Sequence, residues 1–128
     1  MEVTFCKFLD QAKDVARFIK LPELRTPIFV EYVSRKGIIR HYYPDYVVVL
    51  TNNEKYITET KGLVDEDVPF KDQRSVVWCK DVSDITGETW KYLRVDQEVF
   101  DKGGFRTFSK LAKSITKQET IVDEKTAV

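Results

Sequence analysis

The first apolar positions of the chain recur at helical spacing. Phe5, Leu9, Ala12, Ala16 and Ile19 fall three and four apart, and Phe8 and Val15 widen the stripe. Residues 2–20 therefore predict one amphipathic helix, ended by Leu21-Pro22. The period then changes to two. "IFVEYVSR" at 28–35 predicts a strand, Gly37 a turn, and 38–50 a second strand interrupted at Pro44. Thr51-Asn52-Asn53 reads as a turn and 54–61 as a third strand. Pro69 suits the opening of a helix over 70–82, "SDITGE" at 83–88 reads as a loop, and "TWKYLRV" at 89–95 as a fourth strand. Asp96 is placed to cap a short helical turn, Gly103-Gly104 breaks the chain before a last helix at 105–117, and 118–128 is a polar tail.

This order of helix, three-stranded meander, helix, strand and helix predicts an α/β sandwich, a mixed four-stranded sheet flanked by helices on both faces. The second strand carries the argument for two covered faces. Tyr46, Val48 and Leu50 point one way and Val47 and Val49 the other, so both sides are apolar. A chain of 128 residues is one domain by length, taken as 1–117 with the tail excluded.

Charge narrows the function classes. Lys and Arg total 21 and so do Asp and Glu, so nucleic-acid binding requires a local patch and gets no help from net charge. Cys6 and Cys79 stand in no metal-type spacing and read as buried free thiols, which places the protein in a reducing compartment, the cytoplasm. No apolar run approaches the length of a membrane span, and the N-terminus has no signal-peptide pattern. No serine or cysteine has an evident base partner, and a single histidine, His41, cannot build a zinc site.

The chemistry gathers instead in "HYYPDYVVVLTNNEKYITETKG" at 41–62. Glu59 and Lys61 are two apart on a strand and share a face. Asp45 joins them only if the hairpin loop has three residues, Thr51-Asn52-Asn53; loops of two or four turn the carboxylates to opposite sides. A three-residue loop needs one residue in the left-handed region, which Asn tolerates, and a bulge at Pro44 is another way to correct the register. Two carboxylates at one strand end suit Mg²⁺, which keeps several waters and accepts the Thr60 carbonyl as a further oxygen. The alternative is a plain cross-strand salt bridge between Asp45 and Lys61. An acid-x-Lys triplet alone means little, since Asp123-Glu124-Lys125 in the tail is another.

"YPDY" at 43–46 and "TETKG" at 58–62, preceded by "FIKLP" at 18–22, resemble the PD-(D/E)xK nuclease superfamily. They are most similar to the C-terminal endonuclease domain of type III restriction-enzyme Res subunits, and the resemblance covers residues 2–82. It implies a restriction-endonuclease-like fold and a Mg²⁺-dependent endonuclease that acts on double-stranded DNA, with Mn²⁺ able to substitute. It also implies Asp45 and Glu59 as metal ligands, Lys61 as the catalytic lysine, and a helicase/ATPase region or modification subunit as partner. No G-x-x-x-x-G-K-[ST] occurs in these residues, so ATP use would belong to that partner. Superfamily members also place a carboxylate on the first helix, for which Glu2 is the candidate; a helix N-terminal acid favoured by the macrodipole accounts for it equally.

Arg106, Lys110, Lys113 and Lys117 form a basic stripe on the last predicted helix, and Lys71 and Arg74 lie early in the preceding one. With His41 these are candidate contacts to DNA; a solvated face and ordinary surface charge are the alternatives. Trp78, Trp90 and Tyr92 read as core. Two other functions fit the same residues: a stand-alone phage or resolvase-like nuclease, and a non-catalytic DNA-binding or assembly module that keeps the fold.

Overall fold

The computed structural model describes residues 2–22, 28–60 and 66–116, the side chain of Glu2 excepted. It is an α/β structure. In chain order the elements are α1 (Glu2–Gln11), β1 (Val15–Lys20), β2 (Val30–Val33), β3 (Ile39–Tyr42), β4 (Tyr46–Leu50), β5 (Lys55–Glu59), α2 (Val68–Thr86), β6 (Trp90–Arg94) and α3 (Gln97–Gly103). A last helix, α4, spans 108–116. The main sheet is mixed and has four strands in the order β1-β4-β5-β6. β1 and β5 run antiparallel to β4, and β6 runs parallel to β5 after the crossover through α2.

Two elements differ from the pattern of the sequence. Residues 15–20 are a strand, not the second half of a helix. The helical stripe holds for Phe5, Leu9 and Ala12, which are buried, but Ala16 and Ile19 are exposed. Asp14 explains the change. Its carbonyl accepts the Thr51 N–H at 2.8 Å, and its carboxylate accepts the Phe108 and Ser109 N–H groups at 2.8 and 2.9 Å. These tertiary bonds break the helix after Gln11 and lay Val15–Lys20 along β4, with a bulge between Val15 and Arg17. The second difference follows. With β1 holding the edge beside β4, the strands at 30–33 and 39–42 leave the sheet and pair as a separate two-stranded ribbon. The sheet thus has the expected strand number with a different first strand.

α2 is also longer than expected. Pro69 stands in its first turn, as predicted, but residues 83–86 continue the helix instead of looping, and Gly87 ends it at φ 74. Ser83 explains the extension, since its hydroxyl accepts the Trp90 N–H at 2.9 Å and so ties the helix end to β6. Asp96 caps α3 as expected, accepting the Val99 N–H at 3.0 Å.

Both faces of the main sheet are covered. On one, Tyr46, Val48, Leu50, Tyr56 and Leu93 pack with Phe5 and Leu9 of α1, Phe100 of α3 and Phe108, Leu111 and Ile115 of α4. On the other, Ile57 and Val47 pack with Val30 and Tyr42 of the ribbon, Cys79 and Trp78 of α2, and Trp90 and Tyr92. Among the described residues no helix is long and apolar enough to cross a membrane. Cys79 is a buried free thiol, and burial pushes its pKa up to about 12. Cys6 is only half-buried.

Asp14 supplies a test of this arrangement. Burial alone would raise its carboxyl, but the Phe108 and Ser109 N–H groups and the Ser109 hydroxyl outweigh burial and hold it below the ordinary 3.8. Asp14→Ala should lower stability by about 1–2 kcal/mol, the usual worth of a helix cap. Because the folded pKa is depressed, that difference is full above pH 3.8 and vanishes as pH falls through the folded value. Thermal denaturation of the two proteins from pH 7 to pH 3 measures it.

Candidate active site

The β4–β5 turn has three residues. Leu50 N–H donates to the Glu54 carbonyl at 2.8 Å, and Asn53 takes φ 70, the left-handed conformation expected of it. The register follows: Tyr46 faces Thr58, Val47 faces Ile57, Val48 faces Tyr56 and Val49 faces Lys55. The pairing stops at Tyr46, and Asp45 lies just before β4, held against the end of β5 that carries Glu59. Asp45 is fixed from both sides. Its N–H donates to the Thr58 carbonyl at 3.0 Å and its carbonyl accepts the Leu21 N–H at 2.7 Å, just past β1. Its carboxylate Oδ2 accepts the Thr60 N–H at 3.0 Å and the Thr60 Oγ1–H at 3.4 Å.

Glu59 departs from expectation in one respect. A carboxylate at a strand end is expected to meet solvent, and Glu59 is 1% exposed. A buried carboxylate needs a compensating charge. Lys71 of α2 supplies it, with Nζ 3.6 Å from Glu59 Oε1 and 5.1 Å from the centre of the Tyr42 ring. Lys71 is therefore not a surface residue lining a DNA path; it points into the sheet. Neighbouring Asp72 accepts the Tyr92 hydroxyl at 2.7 Å and the Arg94 Nε–H at 3.0 Å, which pins this turn of α2 over β6. Burial raises the Tyr92 hydroxyl first, and the Asp72 charge adds to it.

Tyr42 shows that the two carboxylates belong to one neighbourhood. Its hydroxyl is held well above the ordinary 10.0 by burial first, then by Tyr92 and by the negative charges of Glu59 and Asp45. Asp45, Glu59 and the Thr60 carbonyl are hard oxygen donors of the kind Mg²⁺ takes, and that ion needs only one or two carboxylates beside its waters. Among the described residues no group of three or more His, Cys, Asp and Glu forms a ready-made metal cage.

The remaining candidates scatter. Lys61 and Lys117 lie outside the described residues, as do the tail at 118–128 and the side chain of Glu2, whose backbone opens α1. His41 meets Glu31 at 3.3 Å and stacks near Phe29 on the outer face of the ribbon. Arg74 is exposed, and its Nε donates to the Glu31 carbonyl at 3.4 Å. Arg106 precedes α4, while Lys110 and Lys113 are exposed on it. Trp78 and Trp90 pack edge to face at 5.9 Å beside the core, as read from the sequence.

The sequence reading missed Tyr42, Asp72, Arg94 and the inward aim of Lys71. One signal was available for the last. Lys71, Ser75 and Cys79 recur every four residues, and with Val68 they are the buried positions of α2. A helix face with lysine and serine between Val68 and Cys79 does not register as apolar, so hydropathy hides it.

The buried hydroxyls give a pH test. The folded pKa of Tyr42 lies above the unfolded value, so stability is full below about pH 10 and is lost as pH rises from there toward the folded value. Tyr42→Phe should flatten that alkaline decline, read as the slope of melting temperature between pH 9 and pH 11. An unchanged slope would mean that water reaches the hydroxyl.

No family model matches the chain, and no curated protein or solved structure matches it either.

Proposed function

We propose that this chain is a Mg²⁺-dependent endonuclease domain of restriction-endonuclease-like fold that hydrolyses DNA phosphodiester bonds, the nuclease part of a type III-like restriction system. The observation that carries the reading is the Asp45 carboxylate bonded to the Thr60 N–H, which sets it against the end of β5 directly after Glu59.

Asp45, Glu59 and the Thr60 carbonyl would hold the ion, which when bound polarises the scissile phosphate and supplies an activated water. The chain's own residues prepare the place. Thr60 orients Asp45, and Lys71 keeps the Glu59 carboxylate tolerable inside the fold. Lys61, next along from Thr60, brings an ammonium to the charge that develops on the phosphate, as the resemblance implies. Arg74, Arg106, Lys110 and Lys113 are exposed cations available to the DNA backbone, and a tethered helicase or modification subunit makes up for the absence of net positive charge.

Plasmid nicking with Mg²⁺ or Mn²⁺ tests this. The folded wild-type protein should nick and should stop when the metal is chelated. Asp45→Ala should abolish both cleavage and metal binding. Lys61→Ala should lose about 10²–10³ in rate while the protein stays folded. Full activity in a well-folded Lys61→Ala protein would remove the lysine from the mechanism. DNA binding without nicking would favour the assembly module.

A further inference from the structure

Lys71 is the one charged side chain of α2 that turns fully inward, with its side chain 8% exposed. The backbone that carries it is held in place by its neighbours. The Lys71 N–H donates to the Asp67 carbonyl at 3.0 Å, the Ser75 hydroxyl donates to the Lys71 carbonyl at 2.7 Å, and Asp72 anchors the same turn to Tyr92 and Arg94. The ammonium is thus delivered to Glu59 by a fixed backbone. It already lies over the Tyr42 ring as well, 5.1 Å from its centre. An aromatic face is a favourable neighbour for a cation removed from water.

We propose that Lys71 is a resident cation of the site, one that occupies Glu59 in the metal-free protein and withdraws toward Tyr42 when a divalent ion binds. This rests on the reading of Asp45 and Glu59 as metal ligands. The physical basis is charge balance. Asp45 and Glu59 formally bring two negative charges into a region where Glu59 has almost no contact with water. Removing the positive partner of a buried ion pair leaves an uncompensated charge and is strongly destabilising. A divalent ion and an ammonium 3.6 Å from the same carboxylate compete for the same oxygen. The free protein is therefore stable without metal and binds metal more weakly than its ligands alone would. This role differs from the one the resemblance implies for Lys61, which is at the phosphate.

The test compares wild type with Lys71→Met and Lys71→Gln, using Mn²⁺ alone as the probe. Binding is read by the paramagnetic resonance of free Mn²⁺ and by the shift in melting temperature. Both variants should melt lower than wild type without metal, bind Mn²⁺ about tenfold or more tightly, and gain more in melting temperature from saturating Mn²⁺. If a variant does not fold without metal, refolding is followed against Mn²⁺ concentration; recovery by Mn²⁺ supports the proposal and failure to recover overturns it. Equal or weaker Mn²⁺ binding by folded variants also overturns it. Plasmid nicking by wild type is measured in parallel, so a nuclease whose Lys71 variants bind no tighter refutes the resident-cation role alone. A wild type that neither binds Mn²⁺ nor nicks refutes the metal site itself.

Discussion

One left-handed residue fixes the geometry on which the candidate site depends. Asn53 at φ 70 closes the β4–β5 turn with three residues, and side chains on a strand alternate faces with a period of two. Adding or losing one loop residue would move every side chain of β5 to the other side of the sheet. Ile57 would leave its core and Glu59 would leave Lys71. Hydrophobic packing and site chemistry are thus enforced by the same register. Val47 against Ile57 and Val48 against Tyr56 hold it from within the sheet, and the Thr60 and Leu21 bonds place Asp45 just beyond it.

The second constraint is the burial of charge. Glu59, Lys71, Asp72, Tyr92 and Arg94 meet at one end of the sheet–helix interface, while Cys79, Trp78 and Trp90 pack toward the other, where Ser83 bonds the Trp90 backbone. A single helix, α2, spans both environments. Its inward face changes from lysine and serine near its start to cysteine near its middle. Such a graded interface holds the polar cluster rigidly, because its members are anchored by bonds to opposite elements: Asp72 to β6 and Lys71 to β5.

Much of this was legible in the sequence. The alternation of Tyr46 to Leu50, the turn residues at 51–53, the Pro69 helix start and the Asp96 cap each rest on local physics that the fold respects. The first strand was not legible. Val15, Ala16 and Ile19 satisfy a helical spacing as well as a strand would, and what decides between them is Asp14, whose partners lie 94 and 95 residues further on. Likewise 30–33 and 39–42 read as strands of the sheet and are strands, but only the position of β1 excludes them from it. The carboxylates could be found because their chemistry sits in one short stretch. The inward aim of Lys71 was harder to read, since the every-fourth spacing of Lys71, Ser75 and Cys79 carries little hydropathy.

The Asp14 clasp has a consequence for the order in which the fold becomes complete. A chain synthesised from its N-terminus would have α1, the ribbon, β4, β5 and α2 available before the residues that Asp14 binds exist. Long-range closures of this kind are entropically the most demanding contacts and form late. The two faces of the sheet therefore mature separately. The face bearing Glu59 and Lys71 is supplied entirely by residues up to Arg94, whereas the opposite face stays open until 108–116 docks and shuts it. Until then Tyr46 and Tyr56 lack the cover that Phe108 and Leu111 give them.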